Sequence, residues 1–141
     1  MKKLFIELFG TYFLVLIIGL SSGNPIAVGF GLMVLVYCGA HISGAHYNPA
    51  VTLAMFLQKE ISALDSIKYF ISQVLGSTLA ALSIYLMKSN MLVQPVLGDS
   101  IYSIFFSEII FTFLLVFVIL NVATHPNLCL LYTSDAADDS G

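Results

Sequence analysis

Apolar residues run along this chain in long blocks, without the strict alternation of half-buried strands. Four blocks stand out: Leu4–Leu20, Ile26–Ala40, Ile67–Met87 and Ile101–Val122. A helix needs about 20 apolar residues to cross a bilayer, within a working range of roughly 17–25. The first, third and fourth blocks meet that length. The second is short, so it borrows from its flanks or sits against protein. A further apolar stretch, Ala50 to Leu57, is too short to span. It follows Asn48-Pro49, a good N-cap beside a residue whose fixed φ and missing N–H suit the first helical position. The pattern predicts an all-α membrane protein with four transmembrane helices and one re-entrant half-helix. A capped half-helix inside a membrane protein points its positive dipole end at a cavity, as discontinuous helices do at substrate and ion sites.

Composition sharpens this picture. Hydrophobic residues make up 59% and charged residues 9%, with mean hydropathy +0.98, outside the range of soluble domains. No basic patch or nucleotide loop is present, so a nucleic-acid partner is not expected. Lys2 and Lys3 ahead of the first block resemble a signal peptide, but the block is long for an h-region and Glu7 interrupts it. The net charge of −3 comes from Asp135, Asp138 and Asp139, all in the last few residues. Residues 128–141 read as a non-native tail, of the kind produced when adapter DNA is translated at a broken gene end, or as a disordered acidic terminus. Cys38 and Cys129 make neither a disulfide nor a metal set, and Cys38 reads as a small buried apolar residue. No cofactor or metal is implied.

The lysines set orientation, since there is no arginine. Lys2, Lys3, Lys59 and Lys68 fall on one side and Lys88 alone on the other. The positive-inside bias places the N-terminus and the segment from His41 to Lys68 in the cytoplasm, in an inner (plasma) membrane. The links Ser21–Pro25 and Lys88–Ser100 then face outward. An internal repeat is also visible. Glu7-x-x-x-Thr11-Tyr12-x-Leu14-Val15 recurs as Glu108-x-x-x-Thr112-Phe113-x-Leu115-Val116, 101 residues later. Three spans separate the copies, so the second enters from the opposite face, as in inverted-repeat transport folds. Residues 1–100 form the first repeat, and 101–127 the first helix of a truncated second. Ser72, Gly76 and Ala80, four apart, form a small-residue stripe for close helix packing.

The stretch His41-Ile42-Ser43-Gly44-Ala45-His46-Tyr47-Asn48-Pro49-Ala50-Val51-Thr52 resembles, without a break over twelve positions, the first signature of the aquaporin (major intrinsic protein) family. Tyr69-x-x-x-Gln73-x-x-Gly76-x-x-x-Ala80-Ala81 resembles that family's third helix. The resemblance implies an aquaporin-like inverted repeat, here truncated, and a homotetramer with one pore per subunit. It implies that Asn48, Pro49 and Ala50 form the half-helix tip, with Asn48 offering an amide donor to passing solute. The carbonyls of Gly44, Ala45, His46 and Tyr47 would form an acceptor ladder, since irregular backbone at membrane depth is tolerated only where buried or lining a cavity. His41 matches a cytoplasmic-mouth position. Two histidines five apart share no helix face, and nothing completes a metal set around them.

Glu7 and Glu108 are carboxylates in apolar spans, where such groups are costly and usually functional. Glu7 could simply pair with Lys3 one turn away. The resemblance implies instead that both glutamates, with Gln73, support the re-entrant loops. It also places Val28 in the narrowest ring of the pore, if aligned ungapped back from His41, with Gly29 or Phe30 as alternatives. Water-selective relatives carry Phe there and glycerol facilitators Trp. The function expected of the parent is a passive channel for water or small neutral solutes such as glycerol, with this fragment inactive alone. The alternative is a non-conducting scaffold or adhesion protein of the same fold. No nucleophile–base pair or cofactor loop suggests an enzyme.

Overall fold

The computed structural model describes residues 1–87 and 100–124, with side chains to residue 121. Lys88, Cys129 and the expected tail at 128–141 lie outside the described residues. The chain divides into two units, Met1–Gly98 and Asp99–Gly141, each described here by itself. The first holds helices α1 (Lys2–Leu20), α2 (Pro25–Ser43), α3 (Pro49–Leu57) and α4 (Ala63–Met87); the second holds α5 (Ile101–Thr124). Four of the five are long and apolar enough to cross a membrane, and α3, with nine residues, is not. At about 1.5 Å per residue it reaches roughly halfway through a ~30 Å hydrocarbon core.

The short second block becomes a full span by borrowing at both ends. At its start, Asn24 Oδ1 accepts from the N–H groups of Ile26 (3.0 Å) and Ala27 (3.1 Å), and Pro25 occupies the first turn. At its end the helix continues through His41-Ile42-Ser43 and stops at Gly44, whose left-handed φ of 89° needs no Cβ. One expectation fails here. Cys38 is exposed rather than buried, like Val34 and Tyr37 on the same helix. The start of α4 is closed by Ser62, which accepts from the Asp65 N–H and donates to Asp65 Oδ2, both at 3.1 Å.

Helices α1 and α4 run in the same direction and form the centre of the first unit. Gly76 lies so close to α1 that a Cβ there would collide with the Leu8 carbonyl oxygen and stand 3.2 Å from the Tyr12 nitrogen. Tyr69, Ser72, Gln73, Gly76, Ala80 and Ile84 are the buried face of α4. Farther along, Tyr12 Oη meets Ser83 Oγ at 3.0 Å. The buried centre mixes polar groups, Glu7, Thr11, His46, Thr52 and Gln73 among them, with apolar ones such as Val51, Ala80 and Ile84. Large apolar side chains instead cover the outer faces, as a helix bundle solvated by lipid requires. In α5, Glu108 and Thr112 sit one turn apart, the same spacing as Glu7 and Thr11 on α1.

Substituting Gly76→Val forces a side chain against the backbone of α1. It should destabilise the α1–α4 pair by about 1–3 kcal/mol. Gly29→Ala, where a Cβ meets nothing within 4 Å, should leave stability unchanged. Unfolding in mixed detergent titrations distinguishes the two.

Candidate functional site

The segment between α2 and α3 cannot be helical or extended throughout. Gly44, Ala45 and Tyr47 all have positive φ (89°, 51° and 49°), while Asn48 is extended at φ −148°. For the two residues that carry a Cβ, such a conformation costs of order 1–3 kcal/mol each and persists only where surroundings over-determine it.

Glu7 supplies that determination. Its Oε1 accepts from Ser43 Oγ (2.7 Å) and the His46 N–H (3.0 Å), and its Oε2 from the Tyr47 N–H (2.8 Å) and Gln73 Nε2 (2.9 Å). The carboxylate is wholly buried, at 0% exposure, and four donors satisfy it. Lys3 is not among its partners, since the ion pair found among the described residues is Lys68–Asp65. Ser43 Oγ also accepts from the Ala45 N–H at 3.0 Å. Three consecutive N–H groups, of Ala45, His46 and Tyr47, thus turn toward the Glu7–Ser43 side.

Peptide planarity fixes what the other side presents. In a trans peptide the C=O points opposite to the N–H it is bonded to, and no cis bond is present among the described residues. The carbonyls of Gly44, Ala45 and His46 therefore point away from Glu7. Among the described residues none of the three accepts a hydrogen bond. Tyr47 differs: its carbonyl accepts from Thr11 Oγ1 at 3.2 Å and is turned into the protein. Its hydroxyl donates to the Leu35 carbonyl (3.0 Å), and its ring fills a notch that a Cβ on Gly10 or Gly39 would close.

Asn48 is oriented by its own cap. Its Oδ1 accepts from the Ala50 N–H at 2.8 Å, which leaves Nδ2 as the outward end of the amide, without a partner among the described residues. Behind it, Thr52 Oγ1 joins Gln73 Nε2 (2.9 Å), His46 Nδ1 (3.1 Å) and the Asn48 carbonyl (3.3 Å). Both Gln73 Nε2 protons are committed, to Glu7 and Thr52. Its Oε1 is buried without a partner. The His46 ring packs edge-on to Tyr69, 5.1 Å between centroids, and Tyr69 Oη donates to the Ser43 carbonyl at 2.8 Å. His41 stands apart, exposed on the last turn of α2, and Val28 is half-buried near the start of that helix. Pro49 is exposed and Ala50 half-buried at the tip. Thr11, Ser43, Thr52 and Tyr69 are working parts of this network that the sequence did not single out. For Thr11 there was a signal, its place in the repeated Glu-x-x-x-Thr pattern.

Replacing Glu7 by Gln keeps the shape but offers an NH2 group to partners that are themselves donors. A loss of about 2–4 kcal/mol is expected, since hydrogen bonds to charged groups are the strong ones. Faster amide hydrogen exchange at Ala45, His46 and Tyr47 would locate that loss in the loop. Ser43→Ala should cost less.

Residues 1–131 match the model of the Major intrinsic protein family. A glycerol uptake facilitator protein-like 6 from Lactiplantibacillus plantarum is 36% identical, over 90% of this chain and 66% of its own length. Aquaporin NIP1-2 of Arabidopsis thaliana is 38% identical over 88% of this chain and 50% of its own. Nodulin-26 of Glycine max is 36% identical over 88% and 52%. The chain thus spans one half to two thirds of the length of these relatives. With its N-capped half-helix, its braced irregular loop and these likenesses, the chain belongs to the major intrinsic protein family.

Proposed function

We propose that the complete protein is a passive channel for water and small neutral solutes such as glycerol, and that this chain supplies one half of its conducting path. The observation that carries the reading is the row of three unengaged carbonyls, Gly44 to His46, leading to the outward Nδ2 of Asn48. A solute moving along it donates to each carbonyl in turn and then accepts from Asn48. Hydration is replaced stepwise, so no large barrier arises for a neutral molecule. The N-terminus of α3 brings its partial positive charge to the same point, which opposes cations and protons. Glu7, whose charge would attract cations, is wholly buried behind the loop. The names of the relatives, a glycerol uptake facilitator-like protein and an aquaporin, support the same solute class. Channels of this kind make and break no covalent bond, and the complete protein is not an enzyme on this reading. It is a homotetramer in the inner membrane with its N-terminus in the cytoplasm. Glu108 braces the loop of the second half as Glu7 braces that of the first.

Val28 belongs to the narrowest ring on this reading. At about 100° per residue, Val28 and Gly39 lie within roughly 20° of each other around α2, while Phe30 lies about 160° away. Gly39 and the Leu35 carbonyl both meet Tyr47, so Val28 shares the loop-side face. Phe30 borders an apolar groove with Phe9 and Phe13 instead. A ring with Val is wide, and passes solutes larger than water.

Two outcomes test these statements. In the full-length protein in liposomes, light scattering should show glycerol flux that Val28→Phe suppresses while water flux persists. Absence of both fluxes in the parent would sink the channel reading, and equal glycerol flux in the variant would sink the role of Val28. For orientation, an impermeant thiol reagent applied to intact cells lacking Cys38 should label Ser21→Cys and spare Lys59→Cys. The reverse pattern inverts the topology.

A further inference from the structure

At the end of the first unit where α1 and α4 both begin, a part-open cavity of about 160 Å³ lies between them. Its floor is the buried Tyr69, its walls are Leu4 and Ile61, and its rim carries Lys3, Lys68 and Asp65. Asp65 is spoken for, with Lys68 Nζ 3.1 Å from Oδ1 and Ser62 Oγ 3.1 Å from Oδ2. Lys3 has no ion-pair partner among the described residues, and the first turn of α1 contains no acid and no side-chain cap. The rim is therefore net positive. A cation in a first helical turn is itself unfavourable against the helix dipole. Asp65 attracts Lys3 across the rim, without the close contact of an ion pair.

We propose that this cavity binds the phosphate of an anionic phospholipid headgroup. Lys3 Nζ and Lys68 Nζ donate to the phosphate oxygens, the second while keeping Asp65 as neighbour. A void of roughly 150 Å³ holds a benzene-sized molecule, so a phosphate with its first glycerol carbons fits. Phe5 and Leu64, each next in sequence to a lining residue, are exposed apolar side chains, which gives the glycerol backbone and upper acyl chains a surface. A free phosphate would use the lysines and leave that surface idle. Basic pockets between spans on the cytoplasmic side are where anionic headgroups are held, and the lysine asymmetry places this end there. The proposal rests on the membrane reading and not on conduction.

The test uses the full-length protein in nanodiscs of phosphatidylglycerol or phosphatidylcholine, released into detergent for native mass spectrometry. A retained phosphatidylglycerol is expected, preferred about tenfold over phosphatidylcholine. Lys3→Gln/Lys68→Gln should abolish that preference, Lys3→Gln alone should weaken it, and Lys59→Gln should not change it. Unchanged hydrogen exchange at residues 70–84 shows that the variants are folded; if the double variant is not, the exposed Lys3→Gln decides alone. Equal retention in Lys3→Gln and the parent overturns the site. Displacement by millimolar inorganic phosphate, with no preference between the two lipids, assigns the cavity to free phosphate and overturns the lipid. A protein that conducts nothing yet retains the lipid leaves this proposal standing.

Discussion

The first unit is organised around one buried charge, the carboxylate of Glu7. It joins three elements far apart in sequence: Ser43 at the end of α2, the His46 and Tyr47 amides of the loop, and Gln73 on α4. A lone carboxylate removed from water is prohibitively unfavourable, so its burial is tolerable only with all four donors in place. The dependence runs both ways. Ala45 and Tyr47 hold backbone conformations that favour glycine, and without an acceptor gathering their N–H groups the segment would relax.

Close approach is the second requirement, and glycine meets it at three positions. Gly76 brings α4 against the backbone of α1, which is what lets Gln73 reach Glu7. Gly10 and Gly39 open the slot that the Tyr47 ring occupies between α1 and α2. Helices in a bilayer gain little by hiding apolar surface from one another, because lipid is equally apolar. Shape and hydrogen bonds must do the joining, and here they converge on the same few turns.

Much of this was legible in the amino-acid pattern. Block lengths gave the spans, and Asn48-Pro49 before a short apolar run gave the half-helix, because both are local and periodic. The pairing of Glu7 with a loop 39 and 40 residues away was legible only through likeness to a family, since nothing local in a helix says what its polar residue meets. Thr11, Ser43, Thr52 and Tyr69 stood in quoted motifs without a role of their own for the same reason. Hydroxyls are common in membrane helices, where they bond their own i−4 carbonyl, as Ser83 does to Leu79, and a tertiary partner leaves no mark on composition. The exposure of Cys38 was misjudged because residue type predicts burial only where every face of a helix is packed. A bilayer removes that rule.

The peptide groups of the loop connect the carboxylate to the proposed conducting face in a further way. Each N–H drawn to Glu7 or Ser43 belongs to the same resonance-coupled unit as a carbonyl on the opposite side. Hydrogen bonds in series polarise one another, by about 10–30% per bond in condensed phases. An anion at one end pushes electron density toward the oxygens at the other, so those carbonyls are stronger acceptors than ordinary amides. The buried charge is thereby expressed on the opposite face of the loop as basicity, divided among neutral oxygens that carry no net charge.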